Sequence, residues 1–133
     1  MRPLAVLCLT TALLTSPALA QEAVRDTSAF TLSSGAPRTA EQLALRFDKA
    51  DLSFKLLPES QSLEGVAVLD FTATAPTSAV VGELDAVFAI AAITVDGRAI
   101  ADWSNPEGRL TIPLPRPLAA GETASVRIAY SGR

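Results

Sequence analysis

From residue 46 onward apolar and polar side chains alternate with a period of two, and that pattern removes most folds from consideration. Residues two apart on an extended chain share a face, so the pattern suits half-buried strands; a helix would need an apolar period of about 3.6. Residues 46–57 carry Leu52, Phe54 and Leu56 on one face, with Ser53 and Lys55 on the other. Residues 58–62 are a polar turn. Residues 65–74 set Ala67, Leu69, Phe71 and Ala73 against Val66, Val68, Asp70 and Thr72. The charge of Asp70 must stay hydrated, which assigns the Phe71 face to the core. Residues 75–78, with Pro76, break the run before a strand bearing Val80 and Leu84 on one face.

Residues 90–95 and 98–100 flank Asp96-Gly97, a pair suited to a two-residue type I′ hairpin because both positions tolerate positive φ. Asn105-Pro106-Glu107-Gly108 is a second turn, leading into a strand over residues 109–113. Residues 115–121 read as a loop, and residues 123–130 alternate again, with Val126, Ile128 and Tyr130 on one face. Six to seven or more short strands without long helical stretches predict an all-β domain, an antiparallel β-sandwich or a saddle-like curled sheet.

The amino-terminal side is different. A basic start at Met1, Arg2 and Pro3, an apolar run over residues 4–14, and small residues at Ala18 and Ala20 follow the plan of a secretory signal cleaved after Ala20. The run is short of the roughly 20 residues that a spanning helix needs, so no stable membrane anchor is expected. Cys8 lies inside the run, where it would not serve for lipidation, and no other cysteine follows. Residues 1–20 are thus expected to be a signal peptide, residues 21–43 a flexible leader and residues 44–133 the domain. At the end of the leader, Thr39 followed by Gln42 is a capping-box signal for one helical turn through Leu45, and the same stretch reads equally as an extended lead-in. The expected location is exported, periplasmic or extracellular. The formal charge of −3, with basic residues scattered singly, disfavours nucleic acid as a partner.

Chemistry is constrained by what the composition lacks. With no histidine and no cysteine beyond Cys8, zinc sites, Ser-His-Asp and Cys-His arrangements and imidazole acid–base catalysis have no residues to build on. A serine–lysine nucleophile would have to use Lys49 or Lys55, neither in S-x-x-K spacing. Asp48 with Asp51, or Glu83 with Asp85, are the carboxylate pairs available for glycoside hydrolysis, and acids on strand faces and turns are ordinarily solvated. Asp102, Asn105 and Glu107 lack the alternating ligand positions of a calcium loop, and turn geometry explains Asn-Pro and Gly. Trp103, the only tryptophan, reads as packing over the end of a sheet rather than as a stacking platform. No catalytic, cofactor-binding or metal-ligating residue is therefore assigned.

Several segments, in order, resemble the start of the aminopeptidase N-like zinc metallopeptidases. They are Ala50-Asp51-Leu52-Ser53-Phe54-Lys55-Leu56, the turn at Pro58-Glu59, Leu63-Glu64-Gly65, and Phe71-Thr72-Ala73-Thr74-Ala75-Pro76. Ile93-Thr94-Val95-Asp96-Gly97, Gly108-Arg109-Leu110-Thr111-Ile112-Pro113-Leu114-Pro115, Ala120-Gly121-Glu122-Thr123 and Tyr130-Ser131-Gly132 continue the series. The resemblance covers about residues 44–133. It implies a saddle-like N-terminal β-domain beside a separate thermolysin-like catalytic domain, with zinc only in that second domain. The family's H-E-x-x-H and G-x-M-E-N motifs do not occur here, so none of its catalytic or metal residues carries over. The resemblance thus implies a non-catalytic docking or scaffold domain, truncated at its C-terminal end, whose partner is the catalytic domain of the same parent polypeptide. A sheet edge and part of an apolar face are expected to lie uncovered. The alternative is a free-standing periplasmic β-sandwich binding module for carbohydrate or protein.

Overall fold

The computed structural model describes residues 38–133; the signal-peptide reading and most of the leader lie outside the described residues. Thr39 opens a single helical turn, α1 (Ala40–Leu43). Its Oγ1 accepts from the Gln42 N–H at 3.3 Å while its own N–H donates to Gln42 Oε1 at 2.9 Å, both halves of the box that the spacing suggests. Of the two conformations open to this stretch, the helical one forms.

Seven strands follow: β1 (Leu45–Leu57), β2 (Ser62–Ala73), β3 (Thr77–Glu83), β4 (Ala89–Val95), β5 (Arg98–Ile100), β6 (Arg109–Leu118) and β7 (Thr123–Gly132). Five form one antiparallel sheet in the order β1-β2-β7-β4-β5, and β3 pairs with β6 in a second. The domain is all-β, as expected. The hairpin at Asp96-Gly97 has positive φ at both residues, 49° and 80°, and registers Val95 opposite Arg98. Its Asp96 is tied across to β7: Asp96 N–H donates to the Ser125 carbonyl and Ser125 N–H donates to Asp96 Oδ1, both at 2.8 Å.

The core lies between the sheets. Phe71, Ala73, Ile93, Val95, Val126 and Ile128 from the large sheet meet Val80, Leu110, Ile112 and Leu118 from the small one, all buried. Val126 is wholly inaccessible. Assigning the Phe71 face to the core by the charge of Asp70 is therefore correct. Trp103 is half-buried and packs against this cluster.

One expectation fails. The loop read over residues 115–121 begins only after Leu118, because β6 runs on through Pro113, Pro115 and Pro117. Proline lacks the donor that a central strand needs, but among the described strands β6 pairs only with β3, and its other edge carries a single bridge, from Ser104 to Thr111. Its pairing with β3 shifts register between Thr77 and Ala79, passing from Leu118 directly to Pro113. Pro115 and Pro117 thus occupy an irregular stretch without ladder partners, Pro113 borders it opposite Ala79, and Leu118 still reaches the core.

Candidate functional site

The carboxylates singled out in the sequence serve structure. Asp48 is the extra residue of a bulge in β1, where the register with β2 shifts between Phe47 and Lys49. Its Oδ2 accepts from Thr72 Oγ1 at 2.5 Å and its Oδ1 from Arg46 Nε at 2.8 Å. These donors, Thr72 first and then Arg46, hold its carboxyl below the usual aspartate value. Asp51 meets Lys49 at 3.6 Å. Glu83 stands opposite Arg109 in the β3–β6 ladder, and Asp85 Oδ1 caps the Val87 N–H at 3.1 Å. Lys55 pairs with Glu64 at 3.5 Å rather than with a serine.

In the loop considered for calcium, Asn105 Nδ2 donates to the Leu84 carbonyl at 3.0 Å and its Oδ1 is buried without a partner. Among the described residues no group of three or more His, Cys, Asp or Glu side chains could hold a metal ion. Zinc binds through imidazole, thiolate and carboxylate in sets of three or four. The donors present do not fit that ion.

The surface that stands out is apolar. Directly opposed residues of an antiparallel pair share a face. Leu52 lies opposite Ala67, Phe54 opposite Gly65 and Leu56 opposite Leu63, so the β1 side chains point to the same side as the core residues of β2. The small sheet does not reach them. Leu52, Phe54 and Leu56 are 52%, 56% and 70% exposed. A groove of about 330 Å³ lies beside Leu52, lined also by Phe47, Leu69, Val80, Leu110 and Tyr130 among others, with Glu83 its sole carboxylate. The sequence pattern marked these β1 residues as one strand face without showing that the face lies open.

At the far end of this face an aromatic pair closes the sheet. The Tyr130 ring lies over Gly65, where an added Cβ would stand 2.5 Å from the ring. Phe88 meets Tyr130 edge-on at 5.5 Å and covers Gly132 in the same way. Residues Gly65 and Gly132 are thus small because rings occupy the space above them.

The arrangement has counterparts among solved structures. The M1 zinc metallopeptidase of Deinococcus radiodurans, as an E323A mutant bound to a Tyr-Ser-Ala substrate, is 29% identical with a TM-score of 0.60 over 67% of this chain. The same enzyme's structure without that substitution gives 29% identity and a TM-score of 0.61 over 68%. A two-domain M1 zinc metallopeptidase bound to L-tryptophan matches equally well, at 29% and 0.61. This chain spans only about a fifth of their length, 20% in the first case and 21% in the other two. No family model and no curated protein matches the chain. The domain is thus similar in fold and sequence to one part of the M1 zinc metallopeptidases, in keeping with the resemblance carried by its strand and turn segments.

Proposed function

We propose that this β-domain is the non-catalytic docking and scaffold domain of an exported zinc-dependent aminopeptidase, whose zinc site lies in another domain of the same polypeptide. The observation that carries the reading is the 29% identity, over two thirds of this chain, with zinc metallopeptidases of which the chain spans a fifth. The lack of histidine in the sequence, and of a metal-holding cluster among the described residues, supports a division of labour in which the chemistry is housed elsewhere. The exposed row of Leu52, Phe54 and Leu56 supplies the apolar surface a docking role requires. Export rests on the basic start, the apolar run over residues 4–14 and the small residues Ala18 and Ala20.

The test is the native polypeptide. Immunoprecipitation with an antibody raised against residues 38–133, followed by peptide mapping, should recover this domain on a longer chain containing H-E-x-x-H. That chain should release N-terminal residues from peptides in a zinc-dependent manner. A native polypeptide of this domain's own size, with no peptidase activity in the precipitate, would overturn the reading and favour the free-standing binding module.

A further inference from the structure

We propose that this chain binds a second copy of itself through antiparallel pairing of the two β1 edges about a twofold axis at Ser53. β1 lies at the end of the large sheet, so among the described strands only β2 pairs with it and its other edge is open. At 13 residues it is the longest strand described. Long open edges are templates for pairing, and charged side chains on them ordinarily discourage it. Here the charges select one register.

Face matching limits the choice to twofold axes passing through a residue, because an axis between residues would set an apolar face against a charged one. An axis at Asp51 places that carboxylate against its own copy. An axis at Leu52 opposes Lys49 to Lys55 twice. An axis at Ala50 runs Leu52 into the Asp48 bulge, and an axis at Phe54 pairs no opposite charges. With the axis at Ser53, Asp51 of each copy stands opposite Lys55 of the other, Leu52 opposite Phe54 and Ala50 opposite Leu56. Lys55 already meets Glu64 of β2, so each charge pair extends an existing cross-strand row. On the opposite face, Leu52 and Phe54, each more than half exposed, gain apolar neighbours on their open side. The occupant is a second copy because the edge is complementary to itself in both charge and apolar pattern.

The test uses the full chain in sedimentation velocity over a concentration series. The parent should form a dimer. Asp51→Lys places lysine against lysine and Lys55→Asp places aspartate against aspartate. Each variant alone should weaken association by about tenfold or more, since like charges directly opposed are destabilising. Mixed in equal amounts, the two variants should restore the dimer as a heterodimer, because the lysine introduced in one copy then faces the aspartate introduced in the other. The exposure of both side chains keeps the fold out of question, and matching circular dichroism melts check this. A monomeric parent overturns the proposal. So does association that survives in both single variants, as binding through the apolar N-terminal run would, or a mixture that stays monomeric. None of these outcomes depends on whether the domain belongs to an aminopeptidase.

Discussion

Phe71 joins the two layers of the molecule. It is 7% exposed, belongs to the central cluster, and its ring meets Phe47 edge-on at 5.0 Å. Phe71→Ala should cost about 3–5 kcal/mol, the usual range for truncating a buried aromatic. Denaturant melts measure it, and a loss below about 1 kcal/mol would place the ring at the surface. Gly65 makes the opposite point, since what matters there is the absence of a side chain. A methyl group at Gly65 would press into the Tyr130 ring, which Phe88 holds from its edge. Gly65→Ala should therefore destabilise by about 1–3 kcal/mol, the usual penalty of overpacking. Removing the ring as well, in Gly65→Ala with Tyr130→Ala, should make the glycine substitution nearly neutral against Tyr130→Ala alone. A Gly65 effect that persists without the ring would contradict the contact.

Among the elements, strand and turn identity follow from the residues, while coverage does not. The alternation in residues 65–74 and 123–130 assigns the buried faces correctly, and Asp96-Gly97 marks its hairpin because few residues accept two positive φ angles in succession. The β1 bulge, by contrast, does not follow from alternation and is given by the register alone. Phe47 and Leu52 face the same side although five positions apart, which a strict period of two forbids, and Asp48 is the extra residue that corrects the parity. The prolines of β6 mislead because they report a missing donor, not whether a neighbour needs it. That the open face is the one carrying Leu52, Phe54 and Leu56 does not follow from the residues, since alternation gives direction only and coverage depends on the extent of the opposing sheet.

The β6–β7 turn offers a test of local electrostatics. Glu122 accepts from the Ala119 N–H at 2.6 Å and from Arg116 Nη1 at 2.9 and 3.1 Å. The backbone bond first, and then the guanidinium, hold its carboxyl below the usual 4.5. A carboxyl whose pKa is lowered on folding stabilises the fold above its unfolded pKa and loses that contribution as pH falls through the folded value. The advantage of the parent over Glu122→Gln should therefore be present at neutral pH and close below about pH 4.5. Urea midpoints across pH check this; a gap independent of pH would contradict it.

For the whole molecule, the decisive feature is the inequality of the two sheets. The small sheet covers Ile93, Val95, Val126 and Ile128 and leaves the β1 end of the large sheet open, so the domain has a core and also an apolar surface to offer. Among the described residues it has no donor set for zinc, although the structures it is similar to are zinc metallopeptidases. In the proposed division of labour this chain is the scaffold part of a zinc aminopeptidase and carries none of its chemistry. The most direct measurement is zinc per polypeptide after dialysis, with turnover of a chromogenic aminoacyl anilide on the same samples, for the purified chain and for the native polypeptide. The chain should hold no zinc tightly and show no turnover, while the native polypeptide should hold about one zinc and turn over steadily. Stoichiometric zinc and turnover that stay with the chain through repurification would contradict that division of labour.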